Sequence, residues 1–127
     1  MQGIQANFNL YAENVERAVN FYRKNFDFKH LGNIDESEST DWAALKLENT
    51  IIWLGKNGSS VGLILLILSE LQTLINRLKE KGVKFIIPEE MNIGSPISEE
   101  VIKTNWGKHA WFIDSEKNVV MLFEPTN

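Results

Sequence analysis

The chain has 127 residues, of which 43% are hydrophobic and 24% charged, the composition of one folded domain of ordinary size. It contains no cysteine, which excludes disulfides, thiolate catalysis and Cys-ligated zinc or iron–sulfur sites. Acidic residues outnumber basic ones by 17 to 13, and the net charge is −4. That is the wrong sign for a surface that neutralises phosphates, so nucleic acid is not an expected partner.

The sequence also gives no sign of a membrane segment. The longest apolar run, residues 61–68 (VGLILLIL), is far shorter than the roughly 20 residues that a membrane-spanning helix needs. The first residues, MQGIQANFNL, lack the charged and then apolar layout of a secretory signal peptide. We therefore expect no membrane partner and a cytoplasmic location.

A strand followed by an amphipathic helix is predicted near the start of the chain. Residues 4–10 alternate apolar and polar side chains, the period of a half-buried strand. Asn14 is a favourable N-cap. After it, apolar residues recur at spacings of three and four, which line one face of a helix: Val15, Ala18, Val19, Tyr22 and Phe26. Further strands are expected over residues 28–31, 42–47 and 50–54.

The second half repeats this order. The apolar run 61–68 precedes Ser69 and Gln72, which have the spacing of a capping box, and Gly82 stands where the helix is expected to end. The segment 88–105 has no clear period and is predicted to be a long connecting loop. The apolar stripe of this helix comprises Leu71, Leu74, Ile75 and Leu78, and strands are expected over residues 84–87, 109–113 and 119–123.

The two halves are interpreted as a duplication. A shift of 56 positions, from Phe8 to Ile64, superimposes the two helix stripes, although any two strand–helix units align in part. We predict an α+β fold with one domain over residues 1–127, built from two tandem βαβββ modules, residues 1–58 and 59–127. One helix cannot cover both faces of a four-stranded sheet, so the modules must pair or face another chain. We expect this pairing to leave a sheet-lined cup.

Two segments of the sequence resemble a known family. Residues 11–32 (YAENVERAVNFYRKNFDFKHLG) are similar to its first strand–helix unit, and residues 109–125 (HAWFIDSEKNVVMLFEP) to its closing hairpin. The turn at 114–118 keeps the ends of the family pattern but not its proline and glycine. The family is the vicinal oxygen chelate superfamily, which contains glyoxalase I, extradiol dioxygenases and bleomycin resistance proteins. The resemblance implies its duplicated βαβββ fold over nearly the whole chain.

The resemblance also implies a metal site, for which this sequence lacks the ligands. Metal-dependent members place His and Glu on the first and last strand of each module. Those positions correspond here to Asn7, Trp53, Leu63 and Met121. Only the Asn7 amide can offer a hard divalent cation even a weak oxygen donor. We therefore expect no metal and no other cofactor, and no glyoxalase or dioxygenase mechanism, because both need a Lewis acid.

Side-chain alternation predicts an apolar and aromatic surface in the expected cup. Asn7 and Asn9 share one face of the first strand. His109 and Trp111 also share a strand face, but the sequence leaves its direction open, as it does for Trp42. Trp53 and Met121 are equally compatible with a plain core. The expected ligand-binding residues are Asn7, Asn9, Trp53, Leu63, Leu65, Trp106, His109, Trp111, Met121 and Phe123.

These features favour a binding protein. Metal-free relatives of the bleomycin-resistance type are dimers that bind a bulky, partly cationic drug, and Trp106 resembles a position common in that branch. Aromatic rings on a concave surface suit flat, apolar or cationic ligands. The leading hypothesis is a homodimeric, metal-independent protein that sequesters an apolar or aromatic small molecule. This class of ligands includes cationic compounds.

Two alternatives stay open. One is a metal-dependent lyase, isomerase or dioxygenase of the same superfamily, with a non-standard metal site that uses His30 or His109. Its catalytic residues are not identified by the sequence. The other is an interaction module whose sheet edge pairs with another protein.

Overall fold

The structure is a computed structural model that describes residues 7–31, 42–60, 62–89 and 94–126. The chain divides into two compact units, Met1–Ser60 and Val61–Asn127. Among the described residues, each unit has one α-helix and one sheet, which confirms the predicted α+β class. No helix in the described ranges is both long enough and apolar enough to cross a membrane.

In its described part, the first unit contains one α-helix, α1 (Val15–Phe26), and four strands, whose order in the sheet is β1-β4-β3-β2. The strands β1 and β4 are parallel, and the other neighbours are antiparallel. The three later strands match their predictions to within one residue at each end, whereas residues 4–6 of the predicted first strand lie outside the described residues. The strands are β1 (Phe8–Tyr11), β2 (Lys29–His30), β3 (Trp42–Leu47) and β4 (Thr50–Gly55).

Helix α1 covers one face of this sheet. Its predicted N-cap is confirmed, because Oδ1 of Asn14 accepts a 2.9 Å hydrogen bond from the backbone N–H of Arg17. The helix packs against β3 and β4. Tyr22 is fully buried and meets Phe28 edge to face, with ring centroids 5.8 Å apart. The sheet residues buried on this side include Leu10, Ala43, Leu45, Ile52 and Leu54.

The second unit contains helix α2 (Leu71–Glu80) and a larger sheet in the order β5-β10-β9-β8-β7. The strands β5 and β10 are parallel, like β1 and β4 in the first unit. The strands β6 and β8 pair with different parts of the same edge of β9. The strands are β5 (Ile64–Leu66), β6 (Lys84–Ile86), β7 (Ser95–Pro96), β8 (Ile102–Lys103), β9 (Gly107–Ile113) and β10 (Val119–Pro125).

The predicted loop over residues 88–105 is wrong in part. It contains the antiparallel pair β7 and β8, which extends the sheet beyond β9. Each of these strands has only two residues, and two residues are too few to show a period of two in the sequence. Residues 90–93 lie outside the described part of this segment.

The N-terminus of α2 is capped from across the unit, so the predicted capping box of Ser69 and Gln72 is wrong. Glu70 occupies the N-cap position with φ of 62° and makes no side-chain capping bond. The backbone N–H of Leu71 instead donates a 2.8 Å hydrogen bond to Oε1 of Glu124 in β10. This carboxylate satisfies a helix-terminal donor and faces the positive end of the helix. A partner 53 residues away is not visible to a local motif.

The C-terminus of α2 matches its prediction. Gly82 has φ of 92°, the left-handed conformation that glycine adopts at low cost. Its N–H donates to the carbonyl of Lys79, and the N–H of Val83 donates to the carbonyl of Leu78, both at 3.0 Å. This pattern of backbone bonds ends a helix.

Asp114 organises the turn between β9 and β10. Its buried carboxylate accepts hydrogen bonds from the backbone N–H groups of Glu116 and Asn118, at 2.8 and 2.9 Å. It also accepts a 2.8 Å bond from the side-chain amide of Asn118. The two residues that match the family's turn are therefore the ones that hold it together. Between them, Lys117 takes φ of 68°, a conformation that strains a side chain with a Cβ.

Replacing Lys117 by glycine is expected to stabilise the protein. The change removes the left-handed strain but adds backbone freedom to the unfolded chain, for a net gain of about 0.5–1 kcal/mol in the free energy of unfolding. Urea unfolding measures this gain. Ser115→Gly is the matched control, since Ser115 has no positive φ to relieve. A control variant stabilised as much as Lys117→Gly would contradict the strain argument.

Glu124→Ala is expected to destabilise the protein because it removes the cap of α2. The free energy of unfolding falls by about 1 kcal/mol, a typical loss for a helix N-cap. Glu124→Gln keeps an oxygen acceptor and loses only the charge, so we expect about half that effect. Thermal or urea unfolding of the three proteins checks this, and an unaltered Glu124→Ala protein would refute the capping role.

Candidate functional site

The face of the first sheet opposite α1 carries several residues predicted to bind a ligand. The strand register places Asn9 beside Trp53, with Ala44 on the other side of Trp53. Trp42 pairs with Gly55, two positions beyond Trp53, so it points to the same side. The register therefore settles the direction of Trp42, which the sequence leaves open.

Trp42 and Trp53 form an aromatic pair on this face. Their ring centroids are 5.2 Å apart and their planes are inclined at 32°. Trp42 is 42% exposed and Trp53 is half-buried, so both rings present surface to solvent. Indole rings offer a large contact area at a small cost in conformational freedom, which suits them to binding flat molecules.

An open depression of about 740 Å³ lies beside the two indoles. Its volume falls within the range of roughly 300–1,000 Å³ that is usual for small-molecule sites. The lining combines aromatic rings, three amides and one ammonium group. We call this depression the Trp pocket, and its side chains include Asn7, Asn9, Trp42, Trp53, Lys56 and Asn57.

Sequence reasoning missed Lys56 and Asn57. They follow β4 directly, next to the predicted boundary between the modules 1–58 and 59–127. The available signal was their position: a turn that follows the strand carrying Trp53 lies at the end of the same sheet face.

A second group of predicted residues lies on the face of the second sheet opposite α2. The register pairs Met121 with Trp111 and Phe123 with His109, so these four side chains share one face. On the other side of β10, Val120 and Leu122 are fully buried. The direction of His109 and Trp111, which the sequence leaves open, is therefore away from α2.

His109 is the centre of this second group. Its ring lies parallel to that of Trp111, with centroids 6.0 Å apart, and 4.8 Å from that of Phe123. Its Nε2 is 2.8 Å from Oγ1 of Thr104, and its Nδ1 is 3.4 Å from the sulfur of Met121. Sequence reasoning did not find Thr104, which precedes the strand and carries no motif.

Partial burial lowers the pKa of His109, because removal of water disfavours the imidazolium. Among the residues that the structure describes, no carboxylate contacts its ring. His109 is thus hydrogen-bonded to Thr104, and its partial burial favours the neutral imidazole.

Leu63 and Leu65 were predicted on the open face of the second sheet, and the structure places Ile64 and Leu66 there instead. Ile64 and Leu66 are the residues of β5 that pair with the open-face residues of β10. Leu65 lies beside the fully buried Leu122, on the side of α2. Leu63 is buried as well, with 6% of its surface exposed.

The wrong face was predicted for β5 because the second unit has one additional residue between β5 and α2. A shift of 56 positions is even, so it preserves the face of every strand residue. In the structure Asn9 stands six positions before Val15, whereas Ile64 stands seven positions before Leu71. Alignment of the two helices therefore assigns the side chains of β5 to the wrong face.

Trp106, another predicted ligand-binding residue, makes no ring contact with the group around His109 among the described residues. It precedes β9 and is 67% exposed. Its N–H donates to Oγ1 of Thr104 at 3.2 Å, and its carbonyl accepts a 2.8 Å bond from the N–H of Thr126. Within the described ranges its indole makes no ring contact, so only its backbone is tied to the group around His109.

The residues at the family's metal positions do not fit a divalent metal. Trp53 carries no donor atom suited to one, and neither does Leu63 or Ile64, which takes the place of Leu63 on the open face. Asn7 offers only an amide oxygen. The thioether of Met121 lies against His109. In the described part of the chain, no three His, Asp or Glu side chains are grouped so that they could hold an ion. The donor set therefore gives no basis for Lewis-acid chemistry at these positions.

Solved structures with the same fold include proteins linked to antibiotics. TnmS3, an antibiotic binding protein from Streptomyces sp. CB03234, is 22% identical with a TM-score of 0.67, and the match covers 99% of this chain and 100% of that one. TioX from Micromonospora sp. ML1 is 16% identical with a TM-score of 0.72, covering 98% and 100%. FosX, a fosfomycin resistance protein from Listeria monocytogenes, is 14% identical with a TM-score of 0.68, covering 99% and 94%.

Structural likeness at these identities shows the fold alone. No curated protein matches the sequence significantly. The family model of the Glyoxalase/Bleomycin resistance protein/Dioxygenase superfamily, however, matches residues 4–97, well over half of the chain. This match confirms the resemblance found in the sequence: the chain belongs to the Glyoxalase/Bleomycin resistance protein/Dioxygenase superfamily.

Proposed function

We propose that this protein binds and sequesters an apolar or aromatic small molecule without the help of a metal, and that it works as a homodimer. The observation that carries the proposal is the Trp42–Trp53 pair beside an open depression of about 740 Å³. Two indoles and three side-chain amides can hold a flat organic molecule by contact and hydrogen bonding. Neither interaction requires a metal.

The group around His109 supports the same function in the second unit. It offers the thioether of Met121 and the half-buried rings of His109 and Phe123, whereas Trp111 is buried, with 5% of its surface exposed. Partial burial lowers the pKa of His109, which favours its neutral form. Such a surface attracts apolar groups and, through the faces of its rings, cations. Cationic compounds are therefore among the ligands that we propose for this group.

The solved relatives support a small-molecule ligand. TnmS3 is an antibiotic binding protein, and FosX is a fosfomycin resistance protein. This fold therefore occurs in proteins of antibiotic binding and antibiotic resistance. Fold likeness alone does not transfer a ligand from one chain to another. The argument for this chain therefore rests on the Trp pocket, and the relatives indicate where a search for its ligand should start.

The proposed partner is a second copy of the chain. In the described part of the second unit, β5 is an end strand of its sheet, with β10 as its neighbour. Its residues Ile64 and Leu66 are 51% and 65% exposed. Exposed apolar side chains on an unpaired strand edge favour association, and an identical chain is always available to provide it.

Trp53→Ala is expected to weaken ligand binding. We use the neutral aromatic probe N-phenylnaphthylamine, titrated by fluorescence into protein treated with a chelator. Loss of an indole surface raises the Kd about tenfold, while Trp53→Phe, which keeps a ring, raises it about threefold. Unchanged affinity in Trp53→Ala would place the binding site elsewhere.

Binding of a cationic aromatic compound is expected to depend on His109. The pKa of His109 lies below its ordinary value of 6.5, so the ring gains its proton only as the pH falls below that value. The imidazolium then repels a cation on the same face. We expect the affinity for naphthylmethylammonium, which stays charged throughout, to fall on acidification.

His109→Gln should abolish this pH dependence, and His30→Gln, which changes the chain's other histidine, should keep it. Calorimetric titrations at neutral pH and well below pH 6.5 measure both variants. The same pH dependence in wild type and His109→Gln would exclude this histidine from the ligand site.

A further inference from the structure

The turn after β4 holds Lys56 and Asn57 in a fixed backbone at the Trp pocket. The N–H of Ser59 donates to the carbonyl of Asn9, and the carbonyl of Ser59 accepts from the N–H of Tyr11, both at 2.9 Å. These two bonds attach the turn to β1, on the far side of β4 from Trp42. The turn is therefore part of the sheet rather than a free loop.

Gly58 shows how closely this turn lies against β1. A Cβ atom at this position would overlap the backbone carbonyl carbon of Leu10. The N–H of Gly58 also donates to the carbonyl of Gly55 at 3.1 Å. Because the turn is already in place, a ligand group that meets Lys56 loses less ordering entropy than it would at a mobile loop.

Lys56 gives the pocket a positive local charge. It is the one charged residue among the described residues that line the pocket, and in the described ranges no carboxylate pairs with it. Asn7, Asn9 and Asn57 add amide N–H donors around the same opening. Ammonium and amide donors beside two indoles are complementary to a flat ring whose edge carries negatively charged oxygens.

We propose that the ligand of the Trp pocket is a flat aromatic compound that carries an acidic group such as a carboxylate, a phenolate or a sulfonate. The ring lies against Trp42 and Trp53, and the acidic group lies at Lys56. This inference rests on the proposed function and narrows its ligand class for the first unit. The chain's net charge of −4 does not decide the matter, because exposed charges farther than about 10 Å away are largely screened in salt solution.

Two probes that differ only in an acidic group test the inference. Anilinonaphthalene sulfonate and N-phenylnaphthylamine share their ring system, and only the first carries a sulfonate. We expect the sulfonate probe to bind wild type in one saturable site, about three- to fivefold more tightly than the neutral probe, as one accessible ion pair allows. High salt should reduce this advantage.

Substitutions test whether Lys56 causes the tighter binding of the sulfonate probe. Lys56→Gln should lower the affinity for the sulfonate probe to about that for the neutral probe, so that the preference disappears. Lys24→Gln makes the same change in net charge on α1, which covers the opposite face of the sheet, and should keep the preference. Trp53→Ala should weaken the binding of both probes.

The outcomes separate the inference from the proposed function. Equal affinities for the two probes, or equal effects of Lys56→Gln and Lys24→Gln, would overturn the acidic-ligand inference while the loss of both probes in Trp53→Ala still supported a binding site. A stronger preference for naphthylmethylammonium in the Trp pocket would overturn the inference as well. If neither naphthalene probe bound saturably, the binding function of this pocket would be overturned together with it.

Discussion

In each unit the architecture depends on one contact, the packing of a helix against one face of a sheet. Successive side chains of every strand in that sheet point to opposite faces. The helix can bury only one of the two sets, and the first unit uses Leu10, Ile52 and Leu54 for this core. The other set is left on the open face, where packing demands are weaker and aromatic or polar side chains are tolerated. The parallel pairs β1–β4 and β5–β10 place the chemically distinctive residues of both units on such faces. The proposed function is thus a consequence of which residues the helices do not cover.

Local signals in the sequence were sufficient for most of the fold. Asn14 caps α1 and Gly82 ends α2 because each acts through neighbours a few residues away. The signals failed where the deciding contact is distant. The cap of α2 comes from Glu124, and the face of β5 is set by its register with β10 rather than by the helix that follows it. One additional residue before α2 was enough to exchange Leu63 and Leu65 for Ile64 and Leu66 on the open face.

The sequence predicted the aromatic character of the candidate site but not all of its residues. Missing ligands at the family's metal positions indicated an aromatic surface, and Asn7, Asn9 and Trp53 do line the Trp pocket together. Trp42 could not be assigned without the pairing of β3 with β4. Lys56 was overlooked because a polar turn is usually only a connection, and its significance depends on the bonds that attach the turn to β1. In the second unit, the pairing of β9 with β10 places His109 beside Phe123 and Trp111, a grouping that the sequence alone left open.

Native mass spectrometry of the freshly purified protein tests the central claim, a metal-independent binding protein that acts as a dimer, most directly. One spectrum reports the number of subunits, any bound metal and any small molecule retained during purification. The account predicts the mass of two chains without a stoichiometric metal ion, with or without an additional organic mass that dissociates on mild activation. A stoichiometric divalent ion would contradict it and would point instead to an enzyme whose metal site uses residues other than Asn7, Trp53, Leu63 and Met121.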